Sequence, residues 1–144
     1  MGFPKIEGAY ARVEINNEGN EDCGKMNILF PDGHWLLDRW VDEIHPDEAN
    51  GKTLFHIREH GKESIVGIDG NAIAGGFNWV FEFHSGIALI ERNHRYNYLR
   101  ADGTLLLQSD VKRADGFRQG EYAVYWDDEN EKHMIDVNGK EIAK

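Results

Sequence analysis

One cysteine, three prolines and no apolar stretch long enough to cross a bilayer are what this 144-residue chain has least of. A lone cysteine, Cys23, excludes an internal disulfide and points to a reducing, cytoplasmic setting. Its neighbours Glu21 and Asp22 make a poor setting for a reactive thiol. Without 18 consecutive apolar residues, no transmembrane helix and no membrane partner are expected. Met1 to Lys5 carry no apolar core of a signal peptide. Positive charge is also scarce, with 16 Lys and Arg against 26 Asp and Glu and a net charge of −10. An acidic surface repels phosphate backbones, so nucleic acid is not an expected partner, whereas a basic protein is. No Gly-x-Ser-x-Gly elbow occurs, and Gly75-Gly76 lack the strand-loop-helix context of a phosphate cradle. No catalytic residue, metal ligand or cofactor is assigned on these grounds.

Glycine is plentiful instead, at 16 residues, and argues against long helices because each costs about 1 kcal/mol in a helix interior. Four turn dipeptides organise the chain. They are Asp32-Gly33, Asp69-Gly70, Asp102-Gly103 and Asn138-Gly139, spaced 37, 33 and 36 residues apart. Such a period marks an array of one supersecondary unit. Around each anchor lie short runs rich in Ile, Val, Leu, Tyr and Phe, the composition of strands. Ile87–Ile90, Tyr96–Leu99 and Leu105–Leu107 form the third copy. Tyr122–Trp126 and Met134–Val137 form the fourth. Glu7-Gly8-Ala9-Tyr10-Ala11 in the first copy matches Gln119-Gly120-Glu121-Tyr122-Ala123 in register at its glycine, tyrosine and alanine. The segment 35–44 has an apolar spacing that a helix could use, but the matching segments contain glycine, so strand plus corner is expected.

The residues Phe83-x-x-Gly86-x-Ala88, Phe117-x-x-Gly120-x-Tyr122-Ala123, Lys25-Met26-Asn27-Ile28, Arg95-Tyr96-Asn97-Tyr98 and Asp136-Val137-Asn138-Gly139-Lys140 resemble the WG-repeat family. The resemblance spans about residues 6–142, although the chain has no Trp-Gly dipeptide. It implies a bacterial or phage-encoded array of β-hairpins and no catalytic residues. The expected fold is therefore all-β, a single domain over 1–144. It would hold about four antiparallel hairpin repeats, near 6–44, 45–82, 83–116 and 117–144, forming a roll, an open barrel or a propeller-like array. Open sheet edges suit pairing into a homodimer.

Seven histidines invite a second reading. His56-Ile57-Arg58-Glu59-His60 matches the His-x-x-Glu-His metalloprotease pattern. On a helix the two imidazoles would lie about 6 Å apart, but on a strand about 13 Å, too far to share one ion. The flanking Gly61 and the repeat register favour the strand. His60, His94 and His133 fall at comparable breaks, so a metal-dependent or other enzyme built from histidine-rich loops is the alternative. Three histidines within about 5 Å would favour it.

The acidic run Asp127 to Glu131 reads as a solubilising hairpin loop. Aromatic residues are the better binding candidates. Trp40, Trp79, Phe81, Phe83 and Phe117 fall between copies, where packing of one unit on the next is expected. Alternation puts Tyr96 and Tyr98 on one face. With Arg92, Arg95 and Trp79, these tyrosines form the expected ligand-binding surface of a non-catalytic module for a protein partner or small ligand. An adaptor or interference protein fits that description, and a carbohydrate-binding module is a further alternative.

Overall fold

Turns separate twelve short strands among the described residues, which contain no helix. The computed structural model describes residues 10–117 and 122–142. The first-copy opening at Glu7 to Ala9 and the fourth-copy opening at 118–121 lie outside them. The strands are β1 (Ala11–Glu14), β2 (Met26–Leu29), β3 (Glu43–Ala49), β4 (Lys52–Glu59), β5 (Lys62–Gly67) and β6 (Ala72–Phe77). They continue as β7 (Trp79–Val80), β8 (Ile87–Arg92), β9 (Arg95–Arg100), β10 (Arg113–Ala114), β11 (Ala123–Trp126) and β12 (Lys132–Ile135). Four antiparallel sheets result, ordered β1-β2, β3-β4-β5-β6, β7-β8-β9 and β10-β11-β12. Every neighbour is consecutive in the chain, and no sheet closes into a barrel.

The four anchor dipeptides all sit in the same kind of turn. Gly33, Gly70, Gly103 and Gly139 each donate an N–H to the carbonyl three residues back, at 2.9 Å in all four cases. All four have φ between 83° and 95°, a region that only glycine enters without strain. The last three of these glycines also touch the unit before them. A Cβ on Gly103 would lie 2.5 Å from the carbonyl oxygen of Ile73, and one on Gly70 would overlap the carbonyl oxygen of Leu36. At Gly139 the nearest atom is Leu106 Cγ, at 3.2 Å. Leu36, Ile73 and Leu106 each stand three residues after a turn glycine, so one contact recurs between successive units.

The core lies in three layers between the sheets. Ile28, Leu36 and Val41 meet Ile44, Phe55, Ile57 and Val66 in the first. Leu54 and Ile65 meet Val80, Ala88, Ile90 and Leu99 in the second. Ile87 and Tyr98 meet Val111, Ala114, Ala123 and Ile135 in the third. Neighbouring residues on one strand therefore feed opposite layers, as Ile65 and Val66 do, or Tyr98 and Leu99. Strands buried on both faces need continuous apolar runs rather than alternation, which accounts for Leu54-Phe55-His56-Ile57 in β4.

The segment after the turn is held differently from one unit to another. In the first and third, it touches the preceding strand only at isolated bridges, and a buried asparagine holds it between them. Asn27 donates to the carbonyls of Leu37 (2.9 Å) and Arg39 (3.1 Å), and its Oδ1 accepts from Ile28 and Leu37 N–H. Asn97 donates to Leu107 O (3.2 Å) and Asp110 Oδ1 (2.9 Å), and accepts from Tyr98 and Leu107 N–H. The second unit has Ser64 at this place. There the segment beyond the turn forms β6, which pairs with β5 through register shifts around Ile65. Gly75 packs so closely that a Cβ would meet Ser64 Cβ at 3.0 Å.

The segment 35–44 is indeed not helical. Bridges Leu29–Trp35 and Met26–Val41 flank a series of bends, and Glu43 then opens β3. β3 contains Pro46, which an edge position permits because no ladder donor is needed there. Asn50-Gly51, with φ of 55° and 81°, makes the tight β3–β4 hairpin closed by Ala49 and Lys52.

Candidate functional site

The expected binding residues all belong to or adjoin the β7-β8-β9 sheet, but the fold sorts them onto two faces. Trp79 pairs with Glu91, and Glu91 with Tyr96. Directly opposed residues share a face, so these three side chains form one row. Trp79 stands exposed and Tyr96 half-buried against the third core layer. Tyr98 is on the same face but has no exposure at all. Its hydroxyl donates to the carbonyl of Asp115 at 2.5 Å, its ring meets Phe117 edge-on at 5.3 Å, and burial pushes its phenol well above the ordinary range. The fourth unit covers Tyr98, so it serves packing and offers no surface to a ligand.

Arg92 and Arg95 are cross-strand partners on the other face. Both are engaged within the chain. Arg92 holds Asp110 with Nε–Oδ2 at 2.8 Å, and its guanidinium lies 5.8 Å from the Phe77 ring centroid. Hydrogen bonding from Arg92, then from Asn97, keeps the Asp110 carboxyl below the usual carboxylate range. Arg95 donates to Asp110 O at 2.8 Å and to Asp128 Oδ1 at 2.7 Å.

What remains open on this side is an aromatic ledge. Trp79 and Phe81 are 44% and 42% exposed and lie 6.0 Å apart, edge to face. Large exposed apolar side chains are few among the described residues; the others are Trp35 and Ile68. Below Trp79, the Arg58 guanidinium sits 5.0 Å from the ring centroid. Arg58 is fixed in turn by the buried Glu63 at 2.7 Å, whose other oxygen accepts the Val80 N–H at 2.7 Å. The ledge is thus anchored through Glu63 to the second unit. Phe81 also lines a groove of about 390 Å³ with Glu82, His84, Leu89, Asp115 and Phe117.

Phe81 and Arg58 were not among the expected site residues. Simple alternation would place Trp79, Phe81 and Phe83 together, but β7 ends at Val80, and Phe83 turns into the second core layer. Phe83 and Phe117 do pack between units, whereas Trp79 and Phe81 face outward. The only sequence signal for the ledge was the density of aromatics at 77–83.

The histidines do not assemble. His56 is on β4, 2% exposed, and its Nε2 lies 2.7 Å from Asp47 Oδ2. Its ring stacks on His45 at 4.6 Å and 11°. Parallel rings aim their in-plane lone pairs past a shared ion, so this pair is no chelate. Burial, followed by the neighbouring His56, lowers the His45 pKa. His60 occupies the turn after β4, exposed, with φ of 56°. The His-x-x-Glu-His residues therefore share no ion.

Among the described residues, the group whose metal-binding atoms lie mutually within 4.8 Å is Asp127, Glu131 and His133. His133 already presents both nitrogens to carboxylates, Nε2 to Asp127 Oδ2 at 2.9 Å and Nδ1 to Glu141 Oε1 at 3.0 Å. Asp127 Oδ1 accepts the N–H groups of Glu129 and Glu131 and so shapes the hairpin turn. No family model matches the chain, and no curated protein matches it either.

Proposed function

We propose that this chain is a non-catalytic β-repeat interaction module, of WG-repeat type, whose ledge of Trp79 and Phe81 receives a segment of a protein partner. The observation that carries this reading is two adjacent large aromatic side chains left in solvent on a rigid, ion-paired base. Leaving their open faces in water forgoes burial worth about 1 kcal/mol each, and aromatic anchors of this kind dominate protein contacts. The partner segment is basic and apolar. Its apolar side chain fills the groove beside Phe81, and its cationic groups face Glu82, Glu91 and the net charge of −10.

The array then works as a stiff scaffold, with the β-hairpin units fixing the ledge. A cytoplasmic adaptor or interference protein of bacterial or phage origin is the biological role that accords with this chemistry. The test is a binding titration with synthetic Lys- and Arg-rich peptides carrying Trp or Leu, monitored by tryptophan fluorescence. Binding should weaken with salt and fall at least tenfold in the Trp79→Ala/Phe81→Ala double variant. Affinity unchanged in that variant, or equal affinity for acidic peptides, would refute the reading.

A further inference from the structure

We propose that the fourth unit is closed by a proton: protonated His133 clamps the segment 136–142 to the hairpin before it, and deprotonation opens it. Aligning the four turns puts Asn27, Ser64, Asn97 and His133 at one position of the repeat. In units one and three the asparagine at that position holds the segment beyond the turn. His133 does the same in the fourth unit, reaching Glu141 beyond the Asn138-Gly139 turn and Asp127 at the hairpin. An amide has a fixed donor and a fixed acceptor, whereas an imidazole has two donors only when charged.

Both of its ring nitrogens face carboxylate oxygens. A neutral ring can donate to one and must turn a bare lone pair on the other. Rotation cannot relieve this, because the ring lies flat on Tyr125 at 4.7 Å and 12°, and a flip merely exchanges the nitrogens. The groups facing it are Asp127 and Glu131 from the hairpin loop, Glu141 from the returning segment and Tyr125 from β11. The hydrogen bond to Asp127, then that to Glu141, raises the His133 pKa. For a base with a raised folded-state value, the contribution is complete below the ordinary histidine range. It is lost as pH rises through the raised value.

The returning segment covers the outer edge of β12, the last strand of its sheet. Its contacts there are the Ile142 N–H to Met134 O bond at 2.9 Å and the Ile135–Glu141 bridge. Opening bares the Met134 carbonyl of β12 and the Asp136 N–H just beyond it, a template for strand addition. The device is thus a pH-governed cover over one sheet edge, separate from the aromatic ledge.

Hydrogen exchange of the Ile142 amide in the full chain, with chelator present and corrected for intrinsic rates, tests it. Protection should fall several-fold between pH 6 and pH 9, in step with the His133 ring titration seen by NMR. That midpoint should lie above an ordinary histidine and move down in Glu141→Gln. His133→Asn, which places the residue of units one and three there, should make the protection independent of pH. Flat protection in the native chain, or the same profile in His133→Asn, would overturn the proposal. So would a Glu141→Gln midpoint unchanged from the parent, a readout that does not depend on the histidine variant folding. A transition that appears only when chelator is omitted would assign the clamp to a metal ion and overturn the proton.

Discussion

The second and third units face one problem and meet it by different means. Each must tie down the chain beyond its Asp-Gly turn. The second does so with backbone: β6 runs along β5, and the small residues Ser64 and Gly75 let the two approach. The third relies on one side chain between isolated bridges, since Asn97 makes four hydrogen bonds and the segment after it meets β9 only at Leu99–Leu105, Tyr98–Leu106 and Tyr96–Val111 without forming a strand. Bonds spread along a strand fail one at a time. Bonds concentrated on one buried amide fail together, and their partners are left in a dry layer where unpaired polar groups are costly.

The sharpest way to break this contrast is Asn97→Ala. It should cost about 3 kcal/mol, because Leu107 N–H and O both lose their partner, and Asn27→Ala should behave alike. Ser64→Ala should stay within about 1 kcal/mol. Equal losses in denaturant melts of the three variants would erase the distinction. Next in size is Gly103→Ala, expected to cost about 2–3 kcal/mol through both φ and the Ile73 carbonyl. Gly33→Ala carries only the conformational part, about 1 kcal/mol, because no described atom lies within 4 Å of its Cβ position. A smaller effect, about 1 kcal/mol, is expected for Tyr98→Phe, which removes the bond to the Asp115 carbonyl.

The mildest test is acid. The Asp110 carboxyl is held low in the folded state, so its contribution is present above about pH 4 and fades as pH falls through the folded value. Asp110→Asn should flatten that part of the stability profile while leaving the neutral-pH fold intact. An unchanged acid limb would show that Arg92 gains little from its partner.

The turns were legible in the sequence because Asp-Gly and Asn-Gly state their backbone geometry locally. Their second role was not, since the carbonyl that each later glycine meets comes from about 30 residues earlier. Asn27 and Asn97 were visible in matching tetrapeptides, yet their duty was hidden because the groups they hold lie about ten residues on. Alternation correctly grouped Tyr96 with Tyr98. It could not say that residues 114–135 would cover one and leave the other at the margin. Arg92 and Arg95 looked available for the same reason: their carboxylates are supplied from 110 and 128. Trp79 was legible as an aromatic near a boundary, but its place on an edge strand opposite Glu91 was not.

Where a carbonyl oxygen of one layer rests against a glycine of the next, the gap is set by the van der Waals radius of a hydrogen atom. Side chains elsewhere between layers can be exchanged for larger or smaller ones, and the sheets will tilt or settle about that point. The spacing at the turn itself has no such latitude, and the chain thereby carries its own ruler, marked at Gly70 and Gly103.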